Sequence, residues 1–312
     1  RVAVVGAGPA GLACAHALAR GGHDVILYDA KPKPGGLNEY GVATYKTVDD
    51  YAQREIEWLL GIGGITLECD WALTSVEQLE RLRREHDAVF LGLGLADTHE
   101  LHTAGETLAG VVDAVEFIST LRQATDPATV PVGRRVVVIG GGMTAVDAAV
   151  QSKLLGAERV DMVYRRGPEH MGASRQEQDL ARTRGVSILY WLAPVELLGE
   201  GGSVRAVRFA RQRLDSGRLV PAGEECILEA DMVLKAIGQR LGNPVLTQCG
   251  LELRDGRIAV DASGRTSLGG VWAGGDCIAE GQDLTVDAVA HGLRAARDID
   301  LLLRKPKNPW PD

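Results

Sequence analysis

Val2-Ala3-Val4-Val5-Gly6-Ala7-Gly8-Pro9-Ala10-Gly11 is the stretch whose reading decides the fold. An apolar run enters a G-x-G-x-x-G turn, and residues 12–20 continue as a helix-like segment. Gly6 allows the tight turn, Gly8 lets the backbone approach a pyrophosphate, and Gly11 lets helix and strand pack closely, with Pro9 and Ala10 completing the turn. Free N–H groups at the helix start, together with the helix dipole, suit it to phosphate. A second apolar run, Val25-Ile26-Leu27-Tyr28, ends at Asp29, placed to accept from the hydroxyls of an adenosine ribose. Strand, glycine turn, helix, strand and acid in this order predict a dinucleotide site. The plain alternative is a glycine turn that holds nothing.

The unit recurs. Arg135-Val136-Val137-Val138-Ile139 reads as a strand, Gly140-Gly141-Gly142-Met143-Thr144-Ala145 as the turn, residues 146–155 as the helix and residues 160–164 as the next strand. Gly6 and Gly140 lie 134 positions apart (140 − 6). Two such units predict an α/β fold with two Rossmann-like dinucleotide-binding domains. Near the end, Val271-Trp272-Ala273-Gly274-Gly275-Asp276 is a further strand running into a Gly-Gly-Asp turn.

Composition agrees with this class. The 312 residues are 45% hydrophobic and 24% charged, enough for about two domains with real cores. A net charge of −8 argues against nucleic acid as a partner. No apolar run approaches the roughly 18 residues of a membrane span, and no signal-peptide pattern opens the sequence, so a cytoplasmic protein is expected. The 5 cysteines include no C-x-x-C pair, which excludes a redox dithiol, an iron–sulfur ligand run and a zinc knuckle. The 7 histidines form no H-x-x-x-H pair, so no metal site is expected. The sequence begins one residue before its first strand, which leads us to expect a region upstream of Arg1.

Between the motifs, 31–46 reads as a loop, 49–60 and 76–86 as helices, 65–69 and 88–94 as strands, and 111–122 as a helix. Later come a helix over 176–184, short strands near 187–191, 204–210 and 225–228, a strand over 231–238, a crossing point at Asn243-Pro244, and a last helix over 285–303.

The order Gly6–Gly11 with Asp29, Gly140–Ala145, then Gly274-Gly275-Asp276 resembles that of two-dinucleotide flavoprotein reductases. Gly35-Gly36-Leu37, Tyr45-Lys46, Gly92-Leu93-Gly94 and Tyr164-Arg165-Arg166-Gly167 resemble the glutamate synthase small-subunit type in particular. Within that type, Gly36-Leu37-Asn38-Glu39-Tyr40-Gly41 and the segment from Gly140 to Ala149 are most similar to the flavin subunit of bacterial dihydropyrimidine dehydrogenase.

The resemblance implies a discontinuous FAD-binding domain, 1–112 with 243–312, and an inserted NAD(P)H-binding domain, 113–242. It implies that Gly8 to Gly11 bind the FAD pyrophosphate and Asp29 its ribose, where most relatives have Glu. Gly36, Leu37 and Lys46, the last at a position usually Arg, would line the flavin. Gly275, Asp276, Thr285 and Val286 would sit by the ribityl chain and ring. Gly140, Gly141, Gly142, Met143 and Thr144 would meet the NAD(P)H pyrophosphate, Arg165 and Arg166 the adenosine end, and Ala236, Ile237 and Gly238 would close that site. Gly172 stands where many relatives carry Arg, with Arg175 the nearby substitute. Arg165-Arg166 favours NADPH, because guanidinium forks match a 2′-phosphate. The NADH dependence of bacterial pyrimidine-reducing relatives pulls the other way.

The chemistry belongs to the cofactors, so no side chain is assigned as catalytic. The resemblance further implies iron–sulfur clusters in an upstream domain and in a large partner subunit that reduces uracil or thymine on FMN. Three alternatives stand beside it: the small subunit of glutamate synthase, a disulfide reductase of the thioredoxin reductase kind, and a non-catalytic flavin scaffold.

Overall fold

The computed structural model of the chain describes residues 1–304, so the expected close of the first domain at 312 lies outside the described residues. β1 (Val2–Val5), α1 (Pro9–Arg20) and β2 (Val25–Tyr28) form the opening unit, and every residue of both strands is buried. That is what a parallel strand covered on both faces requires, and it explains the unbroken apolar runs. α2 (Tyr51–Leu60), β3 (Ile65–Glu68), α3 (Val76–Glu85) and β4 (Ala88–Leu91) follow. The second half begins with β5 (Val111–Asp113), α4 (Ala114–Gln123), β6 (Arg135–Ile139), α5 (Met143–Leu154) and β7 (Arg159–Tyr164). It continues with α6 (Arg175–Thr183) and β8 (Val186–Tyr190). Three antiparallel strands intervene, β9 (Leu192–Glu200), β10 (Ser203–Asp215) and β11 (Arg218–Glu229), before β12 (Met232–Lys235). β13 (Val271–Ala273) and α7 (Thr285–Arg304) complete the described elements used below.

Two parallel sheets of the same plan result. The first has the order β13-β4-β1-β2-β3 and the second β5-β12-β6-β7-β8. In each, the strand that enters the glycine turn stands in the middle, with the next strand on one side and a later strand on the other. Strand order reverses there, and open α/β sheets bind ligands at such a point, beyond the carboxyl ends of the strands. Val2, Val4, Leu27, Phe90 and Trp272 pack with apolar residues of α1 and α7. Val136, Val138, Met162 and Leu234 pack with Phe117, Ile118, Val146 and Val150.

The chain divides into two compact units: Arg1–Glu39, Asp49–Asp97 and Gln239 onward in one, Tyr40–Val48 and Thr98–Gly238 in the other. These bounds differ from the expected divisions at 112/113 and 242/243. Residues 98–110 join the second unit because the Ala104 carbonyl accepts from Leu197 N at 2.9 Å, and the Ala109 carbonyl from Val204 N at 2.9 Å. Leu101 and Leu108 also pack on the core around Val207 and Phe209. The expected helix over 111–122 begins only at Ala114, because Val111 and Val112 pair with Val233 and Leu234 as an edge strand, the role β-branched residues favour. β9 has no counterpart among the expected strands. Its Pro194 argues against a strand, and the structure accommodates it at a sheet edge beside a register shift.

Candidate functional site

The first cradle lies where β1 enters α1. Gly6 has φ +101°, and a Cβ there would strike the Gly92 carbonyl oxygen. A Cβ on Gly11 would land on the Gly6 carbonyl oxygen, so strand and helix touch backbone to backbone. Gly8 differs. It is extended (φ −76°, ψ −177°), caps α1 with no side-chain hydrogen bond, and a Cβ on it would come no nearer than 3.7 Å to any atom, the closest being Gly36 Cα. The space beside Gly8 is therefore open, and the first N–H groups of α1 have no side-chain cap. By contrast, α3 and α6 carry capping boxes from Ser75 with Gln78 and from Ser174 with Glu177. An uncapped helix start behind an open glycine fits a pyrophosphate.

The predicted neighbours gather around this turn. Gly36 (φ +54°) would place a Cβ 2.8 Å from Gly8 Cα, so only glycine lets that loop close on the cradle. Gly275 would place one 3.0 Å from Ala10 Cβ. Thr285 Oγ1 donates to Asn38 Oδ1 at 3.0 Å, tying the start of α7 to the residue after Leu37, and Val286 is 71% exposed. Asp276 is part-buried; burial raises its carboxyl, Asp283 adds to this, and Arg257 opposes it. Asp29 is buried and both its oxygens are engaged, one by Ala7 N at 2.6 Å and the other by Lys31 N at 2.8 Å. Its visible work is to pin the glycine turn to the end of β2. Burial raises its carboxyl despite those two donors.

The second cradle repeats the build. A Cβ on Gly140 would strike the Ala236 carbonyl oxygen, as Gly6 meets Gly92. Gly142 is extended (φ −93°, ψ −179°), caps α5 with no side-chain bond, and a Cβ added to it would meet no atom within 4 Å. Gly141 lies under the Tyr164 ring, and its carbonyl accepts from Ala173 N at 3.0 Å. Gly172 borders the turn, since a Cβ on it would stand 3.7 Å from Gly142 Cα. Arg175 is exposed at the start of α6. Met143 is 44% exposed beside the opening, and Thr144 is part-buried. Ile237 packs into the core below, and Gly238 is exposed and accepts from His99 N at 3.1 Å. Arg165 and Arg166 are exposed after β7 and line a cleft with His170.

Lys46 departs from expectation. It belongs to the second unit, where its ammonium bridges Asp147 at 2.7 Å and Glu177 at 2.8 Å. Burial alone would lower its basicity, but these two carboxylates outweigh that and hold it above the usual lysine range. Asp147 also accepts from Ala43 N at 3.2 Å and Tyr45 Oη at 2.9 Å, and Gln151 accepts from Thr44 N at 3.1 Å. Residues 43–46 are thus strapped along α5. The sequence carries only half the signal: Asp147 and Gln151 stand four apart among Ala145, Val146, Ala148, Ala149 and Val150, so on a buried helix face they would require partners, but nothing local says which. Asp147→Ala is expected to cost about 2–3 kcal/mol, since three donors lose one acceptor and the ion pair keeps only Glu177. Lys46→Met should cost less, its side chain being partly solvated. Denaturant midpoints measure both, and an unchanged Asp147→Ala midpoint contradicts the strap.

Residues 1–292 match the family described as pyridine nucleotide-disulphide oxidoreductase. The chain is 34% identical to the β subunit of NADP(+)-dependent formate dehydrogenase of Moorella thermoacetica, over 98% of this chain and 44% of that one. It is 36% identical to the glutamate synthase (NADPH) small chain of Escherichia coli, over 96% of this chain and 68% of that one. It therefore spans about half the length of the first relative and about two thirds of the second. Among solved structures, FprA from Mycobacterium tuberculosis superposes with TM-score 0.81 at 21% identity, covering 97% of this chain and 84% of that chain. Thioredoxin reductase of T. acidophilum superposes with TM-score 0.77 at 22% identity, covering 97% and 98%. These likenesses show the fold of two-dinucleotide flavoprotein reductases.

Proposed function

Because the chain belongs to the pyridine nucleotide-disulphide oxidoreductase family, in its glutamate synthase small-subunit type, we propose that it is an electron-input module. It takes a hydride from NADPH onto FAD and feeds a larger catalytic partner. The observation that carries this reading is the duplicated cradle: Gly8 and Gly142 have the same extended conformation, the same open space and the same uncapped helix behind them. Bound there, the nicotinamide would supply two electrons as a hydride and the flavin would pass them on singly. The protein's part is to bind and align. Gly8 to Gly11 and the start of α1 hold the FAD pyrophosphate. Asp29 fixes the turn beside which the ribose would lie, while Gly36, Leu37, Gly275, Asp276, Thr285 and Val286 would border the flavin side. Gly140 to Thr144 hold the NADPH pyrophosphate, and Arg165 and Arg166 its 2′-phosphate.

The family's name includes disulphide chemistry, but the cysteines argue for another outlet. All five are free. Cys14 and Cys277 are fully buried, and burial pushes the Cys277 thiol up to about 11, disfavouring the reactive thiolate. Electrons would leave through iron–sulfur clusters in a further domain or in the partner. Free cysteines also suit a cytoplasmic setting, and no helix among the described residues is long and apolar enough to cross a membrane.

For the final acceptor, the relatives favour glutamate synthesis from glutamine and 2-oxoglutarate. The segments Gly36–Gly41 and Gly140–Ala149 favour pyrimidine reduction as the second reading. We expect the isolated chain to reduce an artificial one-electron dye with NADPH and to leave both acceptor systems unchanged. Addition of the co-purifying large subunit should restore one of them. Turnover of uracil or 2-oxoglutarate by the isolated chain would contradict the electron-input assignment.

A further inference from the structure

The hairpin of β10 and β11 turns in two residues. Asp215 pairs with Arg218, and Ser216 (φ 48°) and Gly217 (φ 79°) take the left-handed conformation of tight hairpin turns. A register shift between Ala210 and Gln212 marks a bulge below the tip, a device that bends a hairpin. The tip reaches a cleft of about 500 Å³, lined by Arg165, Arg166 and His170 from the loop after β7 and by Leu214, Arg218 and Leu219 from the hairpin.

Three arginines therefore share one cleft in a chain of net charge −8. Among the described residues none of the three has an ion-pair partner, whereas Arg208 and Arg211, lower on the same hairpin, pair with Glu196 and Glu224. Of the acids next to the cleft, Glu169 is engaged with His170 Nδ1 at 2.9 Å and Asp215, opposite Arg218 in register, accepts from Ser216 Oγ at 3.5 Å. Unpaired guanidinium groups facing one space are matched to a dianion from outside. Leu214 is 44% exposed, and with Leu219 it gives that space an apolar wall suited to a purine base.

We propose that Arg218 is a third arginine of the adenosine 2′-phosphate site. Selectivity for the phosphorylated nucleotide is then shared between the loop after β7 and the tip of the inserted hairpin. This inference rests on the assignment of NADPH to the second unit. The ligand chemistry is a phosphomonoester on a purine riboside, and the test separates that from free phosphate.

The FAD-loaded protein is titrated calorimetrically with 2′,5′-ADP, 5′-AMP and inorganic phosphate, as parent, Arg218→Ala and Arg218→Lys. Arg218→Ala should bind 2′,5′-ADP about tenfold more weakly and 5′-AMP as the parent does, on the order of one charge-assisted contact. Arg218→Lys should recover part of the loss, and the KM for NADPH should rise in parallel. If Arg218→Ala binds 2′,5′-ADP like the parent while Arg165→Ala weakens it, the hairpin has no role and the NADPH assignment stands. If the parent binds 2′,5′-ADP and 5′-AMP equally, both ideas fail. If inorganic phosphate displaces 2′,5′-ADP at equal concentration, the cleft is a general anion site and the proposal is overturned.

Discussion

A Gly8→Ala protein is expected to fold like the parent yet emerge without flavin, whereas Gly11→Ala should lose both flavin and stability. The two glycines are three residues apart and do opposite jobs. At Gly8 the backbone is extended, a conformation any residue adopts, and an added Cβ meets nothing closer than 3.7 Å. The methyl group costs the empty protein little. It occupies the space a pyrophosphate must enter, and so separates the phosphate from the first N–H groups of α1. Losing two such contacts at about 1.5 kcal/mol each lowers FAD affinity roughly a hundredfold. At Gly11 the added Cβ lands on the Gly6 carbonyl oxygen, so β1 and α1 must move apart through a packed core. Overpacking of this kind costs about 1–3 kcal/mol or more, or roughly 2–12 °C in melting temperature for a domain of this size. Calorimetry of the flavin-free proteins and the ratio of flavin to protein after purification read the two effects separately. A Gly8→Ala protein with the parent's flavin content would remove the pyrophosphate from this turn.

The paired cradles are legible in the sequence because they rest on local rules. Buried parallel strands must be apolar on both faces, and tight turns that admit phosphate require glycine, so Val2–Gly11 and Arg135–Ala145 announce themselves. Three features are not legible, each for a physical reason. The main segment of the second unit begins at Thr98, where backbone bonds to β9 and β10 decide membership and composition carries no trace of them. The strap over 43–46 depends on Asp147 and Gln151, more than a hundred positions away, and a loop lysine looks the same whether solvated or paired. The hairpin tip at Ser216-Gly217 lies some fifty positions after Arg166, and only the fold brings them to one cleft. Asp29 shows what a motif leaves out. Its place after β2 follows the expected pattern, yet both its oxygens hold backbone N–H groups, so part of its value is structural.

The second large effect concerns the nicotinamide nucleotide. β7 ends at Tyr164 and runs straight into Arg165-Arg166, where an acid would accept from a 2′-hydroxyl and repel a 2′-phosphate. Charge-assisted contacts of about 1.5–3 kcal/mol give a preference for NADPH on the order of ten to a hundredfold in kcat/KM. Arg165→Ala with Arg166→Ala should remove most of that preference, leaving only the share of Arg218, and keep the NADH rate near the parent's. A parent that prefers NADH, with a double variant that treats both nucleotides alike, would remove the phosphate role.

If this one chain passes electrons from NADPH to its own FAD, the transfer needs no other protein. The most direct measurement is anaerobic rapid mixing of the FAD-loaded protein with NADPH, with no partner or acceptor present, while flavin absorbance is followed. The flavin should bleach fully, faster with NADPH than with NADH. A flavin that stays oxidised with both nucleotides, yet is reduced by dithionite, would contradict the electron-input role.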